Sequence, residues 1–140
     1  MPEGTVLAFD FGTRRIGVAI GEPMLGSARA LTTIEGEAND GRFTAIGKLI
    51  AEWQPARLVV GLPLSLDGEP HEMTARCRRF AHQLEGRFRL PVEMVDERLS
   101  SAEAEAGLRG GRKDKAAIDA EAARIILQDW FDHANVNTAA

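Results

Sequence analysis

Thr5-Val-Leu-Ala-Phe-Asp-Phe11 is a nearly continuous apolar run of strand length, interrupted only by Asp10. A run without polar alternation suits a strand covered on both faces, so other elements must lie above and below it. An ionised carboxylate in such a strand is costly unless a partner or a metal compensates it. Asp10 therefore either caps the turn that follows, bonding backbone N–H groups two residues on, or belongs to a site. Taken alone, the residue supports both readings.

The rest of the chain supplies the covering layers. Gly12-Thr-Arg-Arg15 is a tight connection, and Ile16–Ile20 resumes strand character, so the two runs predict a β-hairpin. After a turn region at Gly21–Gly26, Ala28–Ile34 is a third strand, and Glu35–Gly41 is turn chemistry. Phe43, Ile46, Leu49, Ile50 and Trp53 then recur at three- and four-residue intervals, the apolar stripe of an amphipathic helix. Leu58–Val60 is a short buried strand running into a loop at Gly61. Pro70–Phe88 is a helix with Met73, Cys77, Phe80, Ala81 and Leu84 on one face. Val92–Val95 is a further strand, and Ser101–Leu108 and Lys115–Phe131 are closing helices separated by Arg109-Gly-Gly-Arg112. The predicted class is α/β: a five-stranded mixed sheet, made of an antiparallel three-strand meander plus two parallel strands, with helices on both faces. The 140 residues are expected to form a single domain, 1–140.

Composition narrows the function classes. Hydrophobic residues make up 44% and charged residues 27%, as in ordinary globular proteins. No apolar stretch approaches the ~18 residues of a membrane span, and no basic segment with an apolar run follows Met1. The lone Cys77 fits a reducing compartment, and the chain reads as cytoplasmic. A net charge of −4 argues against binding nucleic acid by bulk electrostatics. Arg14-Arg15, Arg76/Arg78/Arg79 and Arg109–Lys115 are nevertheless basic islands. Each alone reads as solvated surface, but an acidic metal site flanked by phosphate contacts would produce the same balance.

In a sheet of this type ligands gather at the carboxyl ends of the parallel strands. Asp96-Glu97 follows the strand Val92–Val95, and adjacent strand residues point to opposite faces, so only one can aim where Asp10 aims. Spacing does not choose between them. Asp119 lies at the margin of an inward helical stripe of Ala116, Ala120, Ala123, Leu127 and Trp130, while Asp114 already offers an N-cap. Three acids from three segments can thus meet at one sheet edge. An all-carboxylate cluster selects hard cations, Mg²⁺ or Mn²⁺, and two such ions would suit in-line phosphoryl displacement. His71, His82 and His133 are scattered, leaving no zinc spacing, and a P-loop is absent.

Four segments, Ala8–Ala19, Val59–Gly68, Val95–Ser101 and Ile118–Gln128, together resemble the YqgF (RuvX-like) family, associated with Holliday junction resolution and with maturation of the small-subunit ribosomal RNA precursor. The resemblance implies a ribonuclease H-like fold and a divalent-metal nuclease. It maps the acidic triad onto Asp10, Glu97 and Asp119, with Asp10 bridging two Mg²⁺ or Mn²⁺ ions. It makes Thr13, Arg14, Arg15 and Arg98 candidate substrate contacts, places the Gly61–Gly68 loop along the cleft, and makes Gly110-Gly111 a flap. Ala120 departs mildly from the family, where a longer residue is common. The implied partner is nucleic acid, precursor ribosomal RNA ahead of branched DNA, with no membrane and a monomeric or weakly dimeric state. Asp10–Gly17 also resembles the first phosphate motif of actin-like ATPases and sugar kinases, but those need a second comparable domain. A non-catalytic RNA-binding assembly factor is the remaining alternative, and it would gain nothing from clustered negative charge.

Overall fold

The computed structural model describes residues 4–12, 14–36, 38–62, 72–96 and 115–139. Among these, β1 (Val6–Phe11), β2 (Arg15–Glu22), β3 (Ser27–Glu35), β4 (Arg57–Leu62) and β5 (Val92–Asp96) build a five-stranded sheet in the order β3-β2-β1-β4-β5. The first three strands are an antiparallel meander, while β4 runs parallel to β1 and β5 parallel to β4. α1 (Asn39–Trp53) follows β3, α2 (Glu72–Phe88) follows β4, and α3 (Lys115–Ala139) closes the described chain. The expected mixed α/β architecture is present. The predicted helix Ser101–Leu108 lies outside the described residues.

Most strand ends lie within one or two residues of the sequence expectation, and three differences stand out. α1 begins at Asn39, so Asn39-Asp40-Gly41 is the first helical turn and not a loop. Asn and Asp are favoured at helix starts for the same reason as in turns, since their short polar side chains satisfy nearby backbone. β2 continues to Glu22 and α3 runs beyond Phe131. Opposite β2, Val18 pairs with Thr32 and Ala19 with Ala30, leaving Leu31 as an extra residue in a β-bulge.

Side-chain alternation along the strands divides the interior into two layers. On one side Leu7, Phe9, Ile16, Val18, Leu58 and Val60 meet Phe43 and Ile46 of α1 and Phe80 and Leu84 of α2. On the other, Val6, Ala8, Ala19 and Val59 meet Ala123, Ile126, Leu127 and Phe131 of α3. This second layer is thin because β2 presents Gly17, Ala19 and Gly21 to it. A Cβ at Gly17 would overlap the Asp119 carbonyl oxygen and approach Ala120 N to 2.9 Å. At Gly21 it would reach the Phe131 ring at 2.6 Å. The missing side chains let α3 lie flat on the sheet. Its buried face is accordingly broader than the predicted stripe and takes in Ala122, Ile126 and Phe131. Trp130, expected to point inward, is only partly buried. Its ring sits 5.4 Å from Phe131 and 5.5 Å from the Arg57 guanidinium. No described helix is long and apolar enough to cross a membrane.

Two glycine substitutions separate the close-packing role from ordinary helix propensity. Gly17→Ala is expected to cost about 1–3 kcal/mol in urea unfolding, because α3 must lift from β2. Gly86→Ala, in α2 with open space around the new methyl, is expected to stabilise by about 0.5–1 kcal/mol.

Candidate active site at the carboxyl end of β1

Asp10 continues the series Val6, Ala8, and strand alternation therefore puts it on the α3 side of the sheet. Its Cα partner across the hairpin is Gly17. Gly17 is also the point where the Asp119 backbone meets β2. The absent side chain at one position thus brings two acids, far apart in sequence, to adjoining places on one face. Both residues are half-buried.

Arg15, two positions before Gly17, shares this face. Its Nε donates to Asp119 Oδ2 at 2.7 Å, with the two side chains 29% and 26% exposed. A short charge-assisted hydrogen bond at partial burial orients both groups more firmly than a surface pair would. Arg14 is exposed, and its carbonyl accepts from Gly36 N at 3.0 Å. Thr13, Glu97 and Arg98 lie outside the described residues, as do the 63–68 loop and the 109–114 segment. Among the described residues no set of three or more His, Cys, Asp or Glu side chains is drawn together in a form that could hold a metal.

Arg42, on α1, was not singled out by sequence reasoning. It is 4% exposed, and its guanidinium reaches both the β1–β2 turn and the β3–α1 connection. Nε donates to Gly36 O at 2.8 Å and Nη2 donates to Gly12 O, while Cζ lies 5.2 Å from the centre of the Phe11 ring. Gly36 has φ of +121°, a backbone conformation suited to glycine, which lets the β3–α1 connection turn its carbonyl toward Arg42. The β1–β2 turn is therefore tied at Gly12 O and Arg14 O to the β3–α1 connection. The signal for Arg42 was present in the sequence. It stands in helical phase with Ile46, Leu49 and Trp53, where an unpaired charge would be expensive.

A sequence profile of the RuvX family, described as Holliday junction resolvase, matches residues 4–133. The chain belongs to the RuvX family. A relative from Dechloromonas aromatica is 61% identical over 133 residues, covering 92% of this chain and 91% of its own length, and carries the name "Putative pre-16S rRNA nuclease". A relative from Methylobacillus flagellatus, of the same name, is 60% identical over 133 residues with the same coverage. Among solved structures, RuvC from Thermus thermophilus superposes with a TM-score of 0.56 at 15% identity, covering 96% of this chain and 97% of that one. RuvC in complex with a Holliday junction substrate gives 0.55, at 93% and 94% coverage. These likenesses identify the ribonuclease H-like fold.

For this RuvX-family chain the question of a metal is one of donor chemistry. Asp10 and Asp119 offer hard oxygen donors at one end of the sheet, and Asp119 already holds a cationic group against its carboxylate. Such a patch fits a hard divalent cation and does not fit a soft one.

Replacing Arg42 by Met is expected to cost about 1–3 kcal/mol in urea unfolding, since the buried side chain gives up its hydrogen bonds to the carbonyls of Gly12 and Gly36. The Gly36 N–H, bonded to Arg14 O, should also exchange faster with deuterium. An Arg42→Met protein with unchanged stability and unchanged Gly36 protection would show that the clasp contributes nothing.

Proposed function

We propose that the chain is a divalent-metal-dependent nuclease that hydrolyses nucleic-acid phosphodiesters, with the precursor of 16S ribosomal RNA as its substrate and the cytoplasm as its place of action. The observation that carries this reading is the convergence of Asp10 and Asp119 across Gly17 at the carboxyl end of β1. The names of the relatives support the substrate.

Asp10, Glu97 and Asp119 are assigned as the ligands of Mg²⁺ or Mn²⁺, two ions in all. Glu97, which lies outside the described residues, is taken over Asp96 on the family resemblance alone. When bound, the ions neutralise charge on the scissile phosphate and make water a better nucleophile at neutral pH. The protein's own groups position and compensate. Asp10 and Asp119 are oriented from β1 and α3, and Arg15 holds the Asp119 carboxylate in place. Thr13, Arg14, Arg15 and Arg98 are the contacts assigned to substrate phosphates. The chain acts as one ribonuclease H-like domain, monomeric or weakly dimeric.

Cleavage of branched DNA is the second reading, favoured by the description of the family profile. Incubation with precursor 16S RNA and with a four-way DNA junction, with and without Mn²⁺, distinguishes the two. The expected result is metal-dependent cut RNA, an intact junction, and no cleavage by a folded Asp10→Asn or Asp119→Asn variant. Symmetric junction cleavage with intact RNA would transfer the substrate to DNA. Wild-type rates from Asp10→Asn would remove the metal-site assignment.

A further inference from the structure

We propose that the exposed Arg76 and Arg79 of α2 form a backbone track for the nucleic acid flanking the scissile phosphate, an inference that rests on the nuclease reading above. The sequence leaves Arg14-Arg15 and Arg76-Cys-Arg-Arg79 as separate basic islands, each compatible with plain solvated surface. The fold carries them to the same end of the sheet.

Phe80 supplies the first fixed point. Its ring packs 4.8 Å from Phe11, the last residue of β1 and the neighbour of Asp10, and 6.1 Å from Phe9. Phe80 therefore marks where α2 passes the end of β1. Arg79 adjoins it, and Arg76 lies one turn nearer the helix start, about 6 Å along the axis.

Arg87 supplies the second fixed point. It follows Arg76 by eleven residues, about three turns, so both occupy the same side of α2. Its guanidinium lies 4.2 Å from the ring centre of Phe43 in α1, so this side of α2 faces α1. From the turn of α1 that holds Phe43, Arg42 reaches the β1–β2 turn. The Arg76 side of α2 is thus the side toward the turn that carries Arg14. Arg78, two residues on and about 200° around the helix from Arg76, faces away.

Electrostatics gives the arrangement its purpose. The chain is acidic overall and places carboxylates at the site, so a polyanion needs local cations to remain there. Guanidinium groups spaced along a helix suit successive backbone phosphates and carry no sequence information. A flexible strand centred on Asp10 would then pass the β1–β2 turn and continue along α2.

The test is the salt dependence of binding to a fluorescently labelled single-stranded RNA of about 20 nucleotides, measured by anisotropy without divalent ions. Each phosphate contact on single strands contributes about 0.7 to the slope of log affinity against log salt. Arg76→Ala/Arg79→Ala should flatten the slope by about 1.4. The control Arg29→Ala/Arg89→Ala removes the same charge from exposed residues at the starts of β3 and beyond the end of α2, and should leave the slope unchanged. Equal slopes for wild type and the Arg76/Arg79 variant, or equal flattening in the control, would overturn the track while leaving the nuclease reading intact. A wild-type protein that bound neither RNA nor a DNA junction would remove the nuclease reading itself.

Discussion

The contact of α3 with β2 at Gly17 is the one on which the site depends. At that point a helix backbone lies where a side chain would ordinarily stand, so any residue with a Cβ would displace it. The same contact serves packing and the proposed site. It lets Ala123, Ile126, Leu127 and Phe131 close the thin layer over Val6, Ala8, Ala19 and Val59. It also delivers Asp119 to the face that Asp10 shares. Close packing makes such a junction intolerant of added volume, which ties the placement of the acids to the integrity of the core.

Around this junction the charges are arranged by position more than by number. Arg15 compensates Asp119 from the same face of β2. Arg42 comes from the opposite layer, where it is buried, and spends its donors on the carbonyls of two turns. A guanidinium is well suited to this because its donors are held in a rigid planar fork. Its stacking on Phe11 joins the clasp to the aromatic group of Phe9, Phe11, Phe43 and Phe80. The turn that carries Arg14 and Arg15 is thereby built on the large core, while the acids look toward the small one.

Much of this is legible in the sequence. The run Thr5–Phe11 announced a strand covered on both faces, and the change from two-residue to helical periodicity after Gly41 announced the crossovers. Asp10 was visible because a carboxylate is out of place in such a strand. Asp119 carries little signal alone, because its meaning comes from Gly17, a residue about a hundred positions away. A glycine in a strand can equally signal a bulge or a close approach, and the bulge in fact falls opposite Val18/Ala19. Arg42 is hard to see in the sequence because charged residues are usually solvent-facing, and its apolar helical phase is the one sign against that. Asn39-Asp40 misled for a local reason, since the same side chains start helices and make turns. The choice of Glu97 over Asp96 came from family resemblance and not from spacing, and Glu97 itself lies outside the described residues.

Asp10 and Asp119 are proposed to hold the same divalent ions, although one stands on β1 and the other on α3. The most direct measurement is a double-mutant cycle on Mn²⁺ binding, by calorimetry in the absence of substrate, with Asp10→Asn, Asp119→Asn and the pair. Shared ligands predict that either single change removes most of the binding and that the double change removes little more. Independent, additive losses in the two single variants, or Mn²⁺ binding that neither change alters, would contradict the account.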